Sequence, residues 1–458
     1  MKRQIIFAGI ILCFLSPALL QGQETGLLRM DKKHQTSKSD VSLWGGVEEG
    51  RFKPTHAALF QWSAGAEGRF FRPGKTTTWV GTVSLEQTMG KHLGSSLFLE
   101  PEHFPMDLWE MTTGMASRQT GHVEMAFLGD LSDLWAAGLR ASLKAANEVK
   151  RKELPHSSFG MDLQLEPTLT FLSDDDACII ASYLVQLRTE RVKMEQDVFF
   201  DRGMGYWLYE PGNTIFPVLE FTHGFNGSYH SPEFSLGFGI NWKRGQAGGE
   251  DYSRFRFPGS TIKGSFETMV EGFDVDQVYR VSYQRERDQL REAVDDGYSS
   301  LSDRTGRNMS LRFGLQPHEG ALKIIAIDLD ANQWLERTTV SPYDSIKQYG
   351  GTATLLSSLS FGKFDLDANV SAGRGWWQDR GRTYETEDDS LRLTENWLRK
   401  MDYRMVPRMG MGGALTWHAT FLKGLSFRLY ACWYRAFKDS HLGGKNREIA
   451  TLTIGYTY

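Results

Sequence analysis

The chain has 458 residues, 24% of them charged, and a formal net charge of -4 at neutral pH. That balance, with a pI near 6.3 and no basic cluster interleaved with aromatics, gives no support for a nucleic-acid surface, and a mean hydropathy of -0.39 excludes a bundle of membrane helices. A membrane β-barrel is not excluded, because its strands hide apolar residues by alternation, and 12% aromatic residues with 47 Gly suit interfacial girdles and many turns.

Lys2 and Arg3 precede an apolar run from Ile5 to Leu20, followed by Gln21-Gly22-Gln23-Glu24. A basic start, a short apolar core and then small or polar residues predict a secretory signal over 1–22, cut near Gly22. Cys13 lies inside the apolar run after Leu12 and does not resemble a lipid-attachment cysteine. Beyond the signal no apolar run approaches the roughly 20 residues of a membrane helix.

The next stretch, Glu24 to Thr55, is polar and irregular, with one candidate strand around Val41 to Trp44. It reads as an N-terminal unit of 23–56. Two readings stay open for it: a solvated periplasmic leader, or a plug inserted into a lumen, as in barrels resembling fatty-acid transporters.

From Phe60 the pattern changes to a period of two, the side-chain period of a strand. Trp62, Ala64, Ala66 and Phe70 oppose Gln61, Ser63, Glu67 and Arg69, and after Pro73-Gly74, Trp79, Val83 and Leu85 oppose Thr82, Ser84 and Glu86. The same grammar recurs at Val123–Phe127, Trp135–Lys144, Phe159–Leu165, Cys178–Leu187, Phe216–Phe221 and Phe234–Trp242. It continues at Val275–Tyr283, Met309–Leu315, Leu322–Leu329, Thr352–Phe361, Phe364–Ala372, Met409–Trp417 and Leu425–Trp433. An even number of about 14 strands (12–16) follows, at roughly thirty residues per strand and connection. Leu99–Gln119, Arg188–Tyr206, Arg244–Thr261, Gln284–Arg304 and Gln378–Asp402 are expected as long extracellular loops. In Gln284–Arg304 a strand running past the membrane competes with a short surface helix.

The last twelve residues, Arg447 to Tyr458, alternate strictly, with Leu452, Ile454, Tyr456 and Tyr458 on one apolar face. This ending resembles the terminal strand by which bacterial outer-membrane β-barrels are recognised for assembly. It implies a seam with the strand near Phe60–Phe70 and the barrel-assembly machinery as a partner. From about Phe60 to Tyr458 the chain resembles the medium-sized outer-membrane β-barrels of Gram-negative bacteria. The resemblance implies one up-and-down antiparallel barrel over 57–458 in the bacterial outer membrane, surrounded by outer-membrane lipid. It transfers no catalytic or binding residue. A barrel of 22 strands with a folded plug domain would need a longer chain.

If the apolar face meets lipid, Glu67, Arg69, Glu86, Arg140, Lys144, Arg280, Asp328, Asp330, Asp365 and Asp367 line the lumen. Both signs occur, so the expected lining is mixed, suited to salt-bridged networks or polar solutes rather than a single-sign ring. Asp328-Leu-Asp-Ala-Asn332 recurs as Asp365-Leu-Asp-Ala-Asn369, by chance or by duplication. Two carboxylates at i and i+2 are only a fragment of a calcium site. Asp174-Asp-Asp176 reads as a turn and Glu385-Thr-Glu-Asp-Asp389 as a solvated loop, so no metal and no cofactor are expected.

Outer-membrane phospholipases carry a His-x-Ser-Asn-Gly-Arg pattern. The nearest approach here, His223-Gly-Phe-Asn226-Gly-Ser228-Tyr-His230, differs in order and spacing. Glu100-Pro-Glu102-His103 sits among prolines, and Asp175 and Asp388 imitate the aspartates of outer-membrane proteases only in type. Enzyme activity is therefore not expected. The expected function is a channel or transporter for a small solute; the alternative is a non-enzymatic accessory barrel whose loops bind a partner protein of an uptake or secretion complex.

Overall fold

The computed structural model describes residues 37–50, 60–100, 103–150, 156–173, 177–194, 198–201, 206–209, 215–248, 254–338, 345–380, 406–437 and 445–458. The expected signal and most of the stretch before Lys38 lie outside the described residues, as do Asp174–Asp176 and Glu385–Asp389. Twenty strands follow in order. They are β1 (Lys38–Gly50), β2 (Phe60–Pro73), β3 (Thr77–Ser96), β4 (Asp107–Asp130), β5 (Trp135–Lys150), β6 (His156–Leu172) and β7 (Cys178–Met194). Next come β8 (Val198–Asp201), β9 (Tyr206–Tyr209), β10 (Ile215–His230), β11 (Phe234–Ala247), β12 (Phe255–Val270), β13 (Val275–Val294) and β14 (Gly297–Pro317). The last are β15 (Leu322–Thr338), β16 (Ser345–Phe361), β17 (Phe364–Arg380), β18 (Arg408–His418), β19 (Leu425–Ala436) and β20 (Asn446–Thr457).

Successive strands pair antiparallel, and β20 returns to β1, so the sheet has no open edge. In hydrocarbon every backbone N–H and C=O needs a partner within the protein, and closure supplies one to each strand. β8 and β9 stand apart as a hairpin on the start of β4, and β7 pairs directly with β10. The wall therefore has 18 strands, more than the 14 expected.

The alternating segments read from the sequence account for sixteen of these; the other two are β1, where only Val41–Trp44 was expected as a strand, and β12, and each hides its period for a physical reason. β1 has Gly45 and Gly46 in its middle and polar ends. β12 begins with its polarity reversed: Phe255 and Phe257 are buried while Arg256 between them is exposed. Pro258 and Ser260 then interrupt its outward row. Three expected loops shrink for related reasons. β7 runs on to Met194, β4 begins at Asp107, and β13 and β14 form one hairpin closed by Asp295-Asp296. Strands of 20 to 24 residues, as in β3, β4, β13 and β14, are about twice the length that a membrane crossing needs.

The short turns, such as 74–76, 231–233 and 362–363, share one end with Lys38 and Tyr458, while the longer connections share the other. The seam falls one strand earlier than expected, since β20 pairs with Lys38–Gly50 rather than with Phe60–Phe70. The wall thus begins inside the stretch anticipated as a leader. Ser39 and Tyr458 exchange two backbone hydrogen bonds of 3.0 Å. Side chains clasp both ends of the seam: Thr457 Oγ1 donates to Asp40 Oδ1, and Arg447 Nε lies 3.0 Å from Oε1 of the fully buried Glu48.

Leu452, Ile454, Tyr456 and Tyr458 are all exposed, forming one row with Val41 and Leu43 of β1. Leu43 pairs with Ile454 on one side and Ala66 on the other, so Leu43→Pro removes a ladder donor from an interior strand. We expect L43P, like deletion of Tyr456–Tyr458, to abolish the heat-modifiable gel shift of a folded barrel. Retention of the shift by either variant would contradict the seam.

Candidate functional site

The outer face of the wall is an exposed apolar row on nearly every strand, for example Leu85, Met125, Leu143, Phe225, Phe238 and Leu329. The opposite face carries the polar residues. The segment Leu97–Met106, between β3 and β4, settles which face is inside. Leu97 O accepts from Ser158 Oγ of β6 at 2.5 Å, and Phe104 O accepts from Arg304 of β14 at 2.9 Å. One short segment reaches both strands only through the interior of the ring.

Its docking is mainly apolar. Leu97, Phe98, Phe104, Met106 and Leu108 form one buried cluster with Val192 and Met194 of β7, Phe216 and Val218 of β10, Phe255 and Phe257 of β12, and Leu290 of β13. Phe98 meets Phe104 at 5.2 Å and Phe216 at 6.0 Å between ring centres, and Phe104 meets Phe257 edge-on at 5.9 Å. Burying each such side chain contributes about 1.5–3 kcal/mol. The wall here turns its apolar side inward because this segment, not lipid, is its neighbour.

Polar contacts fix the register of the segment. Leu99 N donates to Glu190 Oε1 at 2.6 Å, Lys243 Nζ approaches His103 O at 3.5 Å, and Glu100 pairs with Lys144 of β5 and with His103. Burial by itself raises the Glu100 carboxyl, but the hydrogen bond from His103 and the charge of Lys144 outweigh it and hold the group well below the usual carboxylate range.

Beneath the segment a ladder of alternating charge crosses the inner wall. Asp162 of β6 meets Arg188 of β7 at 2.7 Å, and Arg188 meets Glu220 of β10 at 3.5 Å. Glu220 meets Lys243 of β11 at 3.8 Å, and Lys243 meets Asp288 of β13 at 2.7 Å. Gln186 adds hydrogen bonds to both Asp162 oxygens. The last step spans a whole strand, and Gly259 of β12 makes it feasible. A Cβ at that position would stand 2.2 Å from Asp288 Oδ1 and 2.9 Å from Lys243 Cε. Gly245 plays the same part above it, leaving room for the Phe257 ring.

The residues singled out from sequence lie on the polar face, in several separate groups. Arg140 pairs with Glu124 at 2.7 Å, Lys144 holds the folded-in segment, Arg280 pairs with Glu267, and Glu67 pairs with Arg69. Glu86 accepts from Thr88. The repeated aspartates are also partnered: Asp328 is held in a fork by Arg312, Asp330 by Ser310, Asp365 by His418, and Asp367 by Arg428 and Ser358. Among the described residues no three His, Cys, Asp or Glu side chains converge as a metal cluster. His223 lies on the outer face beside Tyr183, whereas Ser228 and His230 bond to each other on the inner face at 3.0 Å. Cys178 and Cys432 are both buried and outside any disulfide.

Sequence reasoning passed over Asp162, Arg188, Glu220, Lys243 and Asp288. Arg188 and Lys243 each stand one residue past an expected strand, and Asp288 lies in an expected loop. The signal was present: positions 186, 188, 190, 192 and 194 keep the period of two while their chemistry changes from polar to apolar.

No protein-family model and no curated relative matches this chain. Among solved structures it is similar to OccAB3 of Acinetobacter baumannii, at 12% identity over 92% of this chain and 99% of that one, with a TM-score of 0.38. It is also similar to the FrpB iron transporter of Neisseria meningitidis, at 10% identity over 94% and 83%, with a TM-score of 0.45. The outer membrane transporter YddB of Escherichia coli aligns at 8% identity over 92% and 81%, with a TM-score of 0.46. At these scores the overlap with any one of them is partial, and the functional reading rests on this chain's own geometry.

Two outcomes follow for the segment and the ladder. Lys243→Met strands Glu220 and Asp288 without their shared cation, a loss of about 3–5 kcal/mol for a broken buried pair. Adding Glu220→Gln and Asp288→Asn should restore most of it, as urea unfolding in vesicles would show. A carboxyl held low contributes stability that is present above its unfolded value and is lost only as pH falls through its folded value. Glu100 therefore keeps its tether as pH falls through about 4, the ordinary carboxylate range. Amide exchange across 97–106 should stay slow from neutral pH to that point, and E100Q should speed it throughout.

Proposed function

We propose that this chain is an outer-membrane channel that passes a small polar solute through a lumen narrowed by Leu97–Met106. The observation that carries the reading is that segment, docked inside a closed wall over a ladder of opposite charges. Eighteen strands, spaced ~4.8 Å and tilted roughly 40°, make a circular wall roughly 35 Å across at the backbone. Side chains from such a wall do not meet in the middle, so a folded-in segment sets the clearance. An outward apolar row with an inward polar lining is the arrangement that suits an outer membrane.

The lining favours polar cargo over ions of one sign. Half-exposed pairs of opposite sign, Arg280 with Glu267 and Arg428 with Asp367, stand on the inner face, so a solute with both donors and acceptors trades its hydration for alternating partners. Asn308 and Asn332 project opposite each other from β14 and β15 and are exposed, adding neutral donors and acceptors to the inner face.

Single-channel recording in planar bilayers tests the reading. Wild-type protein should give stable open steps, and replacing residues 98–105 by a Gly-Ser linker should raise the conductance several-fold. A closed lumen in both proteins would remove the channel reading and favour a barrel that serves through its loops. Equal conductance in the two would show that the segment does not set the clearance.

A further inference from the structure

The outer face of β11–β14 changes character along one line. Below it stand Trp242, Ile262, Tyr283 and Met309, all exposed. Above it the same outward positions carry Arg244, Arg256, Arg285, Arg287, Arg291 and Arg307, all exposed. The line is continuous across strands: Ile262 pairs with Arg285, Arg285 with Arg307, and Arg256 with Arg291. These arginines sit at the end of the barrel that carries the longer connections, directly beyond the apolar row.

None of the six forms an ion pair among the described residues. Arg307 donates to Gln333 at 3.3 Å, Arg291 donates to Gln289 at 2.7 Å, and Arg256 lies over the Tyr298 ring. The carboxylate Asp303 of β14 stands opposite Gln289 and Arg337 rather than opposite any of them. The inner face at the same height has its own acids, Glu286 and Asp288, but Asp288 is engaged by Lys243 across Gly259. Among the described residues the arginines are therefore cations without protein counter-charges.

We infer that this arginine field is a docking surface for the phosphate groups of lipid headgroups in the leaflet that surrounds the longer-loop end. The chemistry is specific. Guanidinium groups grip phosphate through paired, charge-assisted hydrogen bonds, and acyl chains of the same lipid continue down the apolar row. A phosphorylated lipid satisfies both halves of the surface at once. A neutral lipid satisfies only the apolar half. A soluble polyanion satisfies only the cationic half. Phosphates packed side by side in a leaflet also need cations between them, and six fixed arginines supply charge that divalent ions otherwise provide. This inference rests on the membrane placement of the barrel but not on an open lumen.

The test is lipid retention by the full chain purified in neutral detergent, read by native mass spectrometry. The probes are a bis-phosphorylated, acylated glucosamine disaccharide, the same glycolipid without its phosphates, and phosphatidylcholine. Wild-type protein should retain the phosphorylated glycolipid and release the other two. R285Q/R287Q/R307Q should bind it weaker by about tenfold or more, while K423Q in the turn at the opposite end binds as wild type does. Heat-modifiable migration checks that each variant is folded, and R244Q/R256Q serves if the triple variant is not. Equal retention by the arginine variants, or equal retention of the dephosphorylated glycolipid, would overturn the inference. Displacement of bound glycolipid by heparin at equal charge would also overturn it, assigning the surface to a soluble acidic polymer.

Discussion

The structure depends on one constraint: the hydrogen-bond ladder must return to its starting strand. A barrel wall in hydrocarbon tolerates no free backbone edge, and the pairing of Lys38–Gly50 with Asn446–Thr457 removes the last one. Every other feature presupposes it. An inner face exists only because the sheet is closed, and the folded-in segment has an interior to occupy only because eighteen strands enclose more space than their side chains fill. The seam is reinforced where the ladder is weakest, at its ends, by Asp40 with Thr457 and by Glu48 with Arg447.

A second theme is that the period of two survives while the solvent on each side changes. In the membrane zone apolar residues point out and polar ones in. At the longer-loop end Val192, Phe216, Phe255 and Phe257 point in, toward Phe98 and Phe104, and arginines point out. The strands do not twist to the other face. The neighbour changes instead, from lipid outside to a packed segment inside. Immediately beneath that apolar cluster lies the charge ladder, where low dielectric makes each missing partner costly and keeps the five side chains ordered.

This explains how much was legible in the sequence. Sixteen of the wall strands announce themselves because their outward residues keep a mainly apolar or small row at a period of two. β12 does not, since Phe255 and Phe257 sit on the wrong face for lipid and Pro258 and Ser260 break the outward row. β1 does so only over Val41–Trp44, since Gly45 and Gly46 dilute the rest. The class of fold was therefore readable and the strand number was not. Residues near the ends of short turns, such as Asp365 and Arg69, could be assigned to the polar face from parity alone. The ladder could not be assembled that way, because register decides which charges meet. Asp288 reaches Lys243 across an intervening strand, and nothing in a one-dimensional pattern marks Gly259 as the gap between them.

The seam has a kinetic side. Nearly all wall contacts join strands adjacent in the chain, so most of the sheet can zip up locally as it is made. The clasps of Asp40 with Thr457 and Glu48 with Arg447 are different, since their partners are 417 and 399 residues apart. The closing contacts are thus the most non-local among the described residues and the last whose loop entropy is recovered. Until they form, β1 and β20 are both bare edges, ready to pair with any other strand. Time spent with those edges open is time in which the chain can pair wrongly, whatever the final stability of the wall.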